Sequence, residues 1–120
     1  MSFTFQVLME ISDERVKDLL CCGLESGDYG SFEIVEYSEG ADVWEFPHLD
    51  LPFNNGAVYL RDRYEGGEIL KLDRAALEHG LNILNDKYPR IMADFLKDNE
   101  DALTGDAFLQ CALLGEVVYG

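Results

Sequence analysis

The sequence predicts an α+β fold: a small antiparallel sheet packed against helices, single domain over residues 1–120, order β-α-β-β-β-α-α-α. Three observations predict it. Short aromatic and β-branched runs bounded by turn residues fall in the first 72 positions. Apolar stripes at helical spacing dominate the rest. A length of 120 residues suits one hydrophobic core.

The elements follow in order. Phe3, Phe5, Val7 and Met9 alternate with Thr4, Gln6 and Leu8, which predicts a strand with one buried face. Ser12 reads as a helix N-cap, with Asp13 and Glu14 in the first turn where they complement the helix dipole. Val16, Leu19, Leu20, Gly23 and Leu24 then form one stripe, and Ser26 to Gly30 stop the helix. Ser31 to Tyr37 reads as a strand, closed by Ser38-Glu39-Gly40. Residues 41–55 give no regular pattern; Pro47 and Pro52 break it and Asn54-Asn55-Gly56 marks a turn. Ala57–Tyr64 and Glu68–Leu72 form a hairpin across Glu65-Gly66-Gly67.

Asp73 caps the next helix. Leu77, Leu81, Leu84, Tyr88, Ile91 or Met92, and Phe95 hold one stripe, which Pro89 divides into two helices or one kinked helix. Asp98 to Asp101 closes that stretch, and Asp101 or Thr104 caps a last helix. Ala107 to Leu114 is apolar except for Gln110, so this helix is buried in the core or against a partner.

Charge bounds the function. The chain has 24 Asp and Glu against 9 Lys and Arg, a net charge of −15. Direct nucleic-acid binding is disfavoured, because carboxylates repel phosphates. The 48% apolar content argues against disorder. No apolar run reaches membrane-span length, and Met1-Ser2-Phe3-Thr4 lacks the basic start of a secretory signal. Three cysteines, Cys21, Cys22 and Cys111, form an odd set that suits a reducing compartment and packing as small apolar side chains. No zinc ligand spacing is present, and no cofactor is expected.

Motifs for catalysis are weak. No P-loop, dinucleotide fingerprint or nucleophile elbow occurs. His79 reads as a polar helix residue, and His48 as a loop residue with no partner to tune it. Asp98 to Asp106 departs from the calcium-loop spacing and reads as helix capping.

One segment stands out. Residues 25–50 hold eight acids and no Lys or Arg, interleaved with aromatics. Glu25, Asp28, Tyr29, Glu33, Glu36, Tyr37, Glu39, Asp42, Trp44, Glu45 and Asp50 are the candidate partner-binding surface. Aromatic anchors ringed by carboxylates suit a basic partner. The bland reading is that the aromatics, Phe46 among them, fill the core.

The C-terminal third carries a resemblance. Lys87-Tyr88-Pro89-Arg90, Asp94-Phe95-Leu96, Thr104-Gly105-Asp106, Phe108-Leu109-Gln110-Cys111 and Gly115-Glu116-Val117-Val118-Tyr119-Gly120 resemble a family of short uncharacterised proteins of bacteriophages and prophages. The likeness spans residues 68–120, is looser over 11–30, and does not extend to 38–56. It implies a phage or prophage accessory protein in bacterial host cytoplasm and supplies no catalytic residues. The leading expectation is a non-enzymatic protein that binds a basic host protein, by nucleic-acid mimicry or as an inhibitor of host defence. An alternative is a structural or assembly protein acting as a homo-oligomer, a homodimer by default, through helix 107–114 and the Val117-Val118-Tyr119 end. A small enzyme is a third reading that no spacing favours.

Overall fold

A computed structural model describes residues 1–27 and 30–120. Among them, five α-helices and three strands are formed. They are α1 (Asp13–Leu24), β1 (Phe32–Tyr37), α2 (Pro47–Asp50), β2 (Val58–Asp62), β3 (Gly66–Leu72), α3 (Arg74–Lys87), α4 (Pro89–Leu96) and α5 (Ala102–Leu114). The α+β class is as the sequence predicts, and so is the order from the first helix onward, with the single turn of α2 added between β1 and β2.

The strand expected over Phe3–Met9 is not formed. Residues 1–10 have no regular structure and are exposed throughout. The alternation is genuine, but a strand needs an edge to pair with and a face to cover, and this segment meets neither in its own chain. The segment left without a pattern, 41–55, holds a 3-10 turn at Ala41–Val43, the single turn of α2 and a second 3-10 turn at Leu51–Phe53. Pro47 and Pro52 sit in the first turns of the last two, where a missing N–H costs nothing.

The sheet is an antiparallel meander in the order β1-β2-β3. Ile34 faces Leu60 across β1–β2, and Leu60 faces Leu70 across β2–β3. Its turn is tied by Asp62, whose Oδ1 accepts from the N–H groups of Tyr64 (2.8 Å) and Glu65 (3.2 Å). Gly66 and Gly67 follow at φ +65° and +82°, a conformation that a side chain would strain.

Helix ends follow the sequence closely. Ser12, Asp73 and Asp101 each accept a hydrogen bond from the N–H three residues on. Pro89 starts α4 at its first turn and separates it from α3. Gly115 ends α5 in the left-handed region at φ 82°.

Helix α5 is the centre of the molecule. Thr104, Gly105 and Ala107 to Ala112 are buried, and α1 and α3 pack on either side. Its nearly all-round apolar surface is therefore met within the chain. Both crossings depend on small residues. A Cβ on Gly105 would lie 2.2 Å from the Gly23 nitrogen of α1, and one on Gly80 of α3 would lie 2.8 Å from the Ala112 Cβ. Phe95, Phe108, Leu19, Leu20, Leu60, Leu72 and Leu84 complete the core. No helix among the described residues is long and apolar enough to cross a membrane.

Candidate functional site

The acidic segment divides into carboxylates that hold the fold and carboxylates that face solvent. Two dock the connection between β1 and β2 onto α1. Asp50, following α2's Leu49, accepts from Lys17 Nζ at 3.1 Å. That hydrogen bond raises the Lys17 pKa against the opposing pull of its partial burial. Glu25, at the end of α1, lies 3.3 Å from His48 Nε2 through Oε1 and accepts from the Cys21 thiol through Oε2. The thiol's hydrogen bond holds Glu25 below its ordinary value, with His48 adding to the effect and burial opposing it. Burial, then the Glu25 carboxylate, pushes Cys21 up to about 11, so this thiol is protonated and unreactive at neutral pH. His48 therefore has a partner, which the sequence reading did not foresee.

The other carboxylates point outward. Glu33 and Glu36 are exposed on β1, and Glu33 makes a long contact of 3.9 Å with Arg61 on β2. Glu39, Asp42 and Glu45 are exposed along the connection. Among the described residues, no ion pair involves Glu36, Glu39, Asp42 or Glu45. In the same connection the apolar side chains of Val43 and Phe46 are also exposed, at 74% and 48%. Trp44 is half-buried, and Tyr37 packs on the margin of the core. Phe32 is the aromatic of this stretch that belongs to the core itself. Asp28 and Tyr29 lie outside the described residues.

Glu36, Tyr37 and Glu39 come together with Ser38, Asn55 and Tyr59 around an open depression of about 530 Å³. A neighbouring depression of about 300 Å³ shares Ser38, Asn55 and Tyr59 and is lined further by Lys71, Asp73 and Arg74. The pair forms a shallow trough, acidic at one end and of balanced charge at the other. At the second end both cations are paired: Arg74 forms two hydrogen bonds to Asp13, at 2.8 and 3.2 Å, and Lys71 Nζ lies 3.8 Å from Asp73. Ser38 Oγ accepts from the Ala57 N–H at 2.9 Å and so serves the loop. The candidate surface is thus two areas. One joins the β1 face, the trough and the 39–46 loop; the other is the α1–α2 contact with Glu25 and Asp50.

A second polar constellation was not anticipated. Gln110, buried in α5, binds the C-terminal segment on both sides of its amide. Oε1 accepts from the N–H of Val118 (2.7 Å) and Tyr119 (2.8 Å), and Nε2 donates to the Tyr119 carbonyl (3.1 Å). Tyr88 Oη accepts from the Val117 N–H at 2.9 Å. Tyr119 Oη donates to Asp62 Oδ2 at 2.6 Å, joining the tail to the hairpin. Asp106 completes the set through Ser31 Oγ (2.5 Å), the Ser31 N–H (2.8 Å) and Gln110 Nε2 (3.0 Å). The Asp62 bond pushes Tyr119 up to about 12. Burial pushes Asp62 upward, yet the bonds from Tyr119, Tyr64 and Glu65 outweigh it and leave its pKa lowered. The signal was present in the sequence: one amide in an otherwise apolar helix requires partners. Asp106, Gln110 and Tyr119 are thus residues that lock the tail to the sheet and helices.

The Asp98–Asp106 carboxylates are likewise used internally. Glu100 bonds Arg15 at 2.5 Å, Asp98 lies 2.8 Å from the same guanidinium, and Asp101 caps α5. His79 is exposed on α3. The helix 107–114 and the Val117–Tyr119 end, considered for subunit contact, are engaged within the chain. Comparison of the chain with protein-family models, curated proteins and solved structures gave no match.

Proposed function

We propose that this protein acts by binding, and that its working surface is the β1 face together with the 39–46 loop. The observation that carries the reading is the group Glu36, Glu39, Asp42 and Glu45. These four carboxylates are solvent-facing and make no ion pair among the described residues, and Val43 and Phe46 of the same connection are exposed with them. A basic partner gains charge complementarity from the carboxylates and apolar contact from Val43 and Phe46. The resemblance to phage and prophage proteins supplies the setting: a basic protein of a bacterial host, in its cytoplasm. Carboxylates spaced over an open surface also suit occupation of a nucleic-acid-binding groove, by which such a protein blocks a host nuclease or defence factor. Affinity capture from bacterial lysate at low and high salt tests this. The reading predicts basic proteins that bind at low salt and elute as salt rises. Acidic or neutral partners indifferent to salt would overturn it.

A homo-oligomeric role is the second reading. The buried α5 does not support it; the exposed apolar residues of segment 1–10 do.

A further inference from the structure

Residues 1–10 carry an apolar alternation that the chain itself leaves in water. Phe3 is 94% exposed, Phe5 79% and Val7 68%. Exposing a run of large apolar side chains of one parity is unfavourable, and such a run marks an interaction segment. Half-buried Ile11 packs on the core margin and Ser12 caps α1, so the base of this arm is fixed to the body.

The sheet offers a matching edge. β1 pairs with β2 on one side, and no described strand lies on its other side. Ile34 faces Leu60 in register, yet Leu60 is fully buried while Ile34 is 37% exposed. At the opposite edge Leu70, also facing Leu60, is half-buried. The core-facing side of the sheet is therefore less covered at Ile34 than at Leu60 or Leu70, and Val35 is exposed at 42% beside it.

We propose that Phe3–Met9 adds as a fourth strand to the β1 edge of a second copy of this chain, and that two copies exchange arms reciprocally. Charge favours this occupant. In a chain of net charge −15, residues 1–9 contain no Asp or Glu, so the arm approaches a strand bearing Glu33 and Glu36 without like-charge repulsion. Parity favours it as well. With Phe3, Phe5, Val7 and Met9 turned toward the core side, Thr4, Gln6 and Leu8 fall on the side of the outward carboxylates of β1. Backbone pairing supplies affinity and the apolar parity supplies register. The proposal is independent of the acidic face, whose carboxylates project from the sheet rather than from its edge.

Sedimentation of the full chain tests it, with two variants. Phe3→Ser/Phe5→Ser/Val7→Ser disables the arm. Ile34→Pro disables the edge by removing an N–H that the β1–β2 register turns away from β2 and by obstructing pairing; Ile34→Lys replaces it should circular dichroism show that the proline unfolds the protein. The expected result is a species of twice the 13.6 kDa chain mass for the unaltered protein. Each variant alone is expected to dimerise at least tenfold more weakly. An equimolar mixture of the two is expected to recover a heterodimer, one chain giving the arm and the other the edge. A monomer at high micromolar concentration overturns the proposal, including one whose arm amides are protected from exchange by folding onto their own sheet. So does a dimer indifferent to both variants, or a mixture that stays monomeric.

Discussion

Arg15 shows how much one side chain carries. Its guanidinium contacts Glu100, Asp98 and Asp18, donates to the Phe95 carbonyl at 2.7 Å, and lies 4.7 Å from the Phe95 ring centre. Glu100 is nearly buried, and its Oε2 has no hydrogen-bond partner among the described residues, so Arg15 is its main compensation. Arg15→Ala is expected to cost about 2 kcal/mol in denaturant unfolding, the range for a hydrogen bond to a charged group. The hydrogen bond from Arg15 holds Glu100 below its ordinary 4.5. Its contribution is therefore complete above pH 4.5 and is lost as pH falls through the lowered folded-state value. Arg15→Ala should flatten that acid limb. Tyr119 works in the opposite direction. Its pKa is raised from 10.0 to about 12, so its bond to Asp62 contributes fully below pH 10 and is lost as pH rises through about 12. Ultraviolet titration should show a late-ionising tyrosine that is absent in Tyr119→Phe. The Ser12, Asp73 and Asp101 caps were legible from sequence, because capping is decided within four residues. The Arg15–Glu100 pair was not, since its partners lie 85 positions apart.

At the scale of elements, local pattern sufficed wherever an element buries its own stripe. The stripe of α1 and the break at Pro89 lie where the residues place them; the hairpin forms as expected, but its turn is 63–65 and Gly66-Gly67 belong to β3, because Asp62 ties the turn two residues earlier. The strand over Phe3–Met9 is the exception, because alternation encodes a preference for pairing and says nothing of where the edge is. Helix α5 was ambiguous between core and interface; the small residues that admit its neighbours decide for core. Gly105→Ala tests that crossing. Its new Cβ would meet the Gly23 nitrogen at 2.2 Å and the Cys22 carbonyl carbon at 2.6 Å, both backbone atoms that cannot yield without moving α1. The substitution should destabilise by about 3 kcal/mol, despite the gain of about 1 kcal/mol in helix propensity. A thermal melt unchanged from the unaltered protein would show that α1 and α5 do not cross this closely. Asp101→Ala should cost about 1 kcal/mol through the lost cap of the same helix.

Over the whole molecule, the net charge of −15 has a spatial division. The C-terminal carboxylates Glu100, Asp101 and Asp106 are spent on pairing, capping and locking the tail. In the acidic segment, Glu25 and Asp50 dock the connection, leaving Glu36, Glu39, Asp42 and Glu45 to solvent. Composition marked this segment; it did not separate structural from free carboxylates, because that depends on where Lys17 and His48 arrive in space. The most direct measurement compares two full-length variants with equal charge change in capture from bacterial lysate. One is Glu36→Gln/Glu39→Gln/Asp42→Asn/Glu45→Gln. The other is Glu78→Gln/Asp86→Asn/Asp94→Asn/Glu116→Gln, four exposed acids on the helices and tail. Four surface pairs at a few tenths of a kcal/mol each predict about a tenfold loss of partner binding in the first variant. The second should bind as the unaltered protein does. Equal loss in both, or loss in neither, would contradict a working surface on β1 and the 39–46 loop.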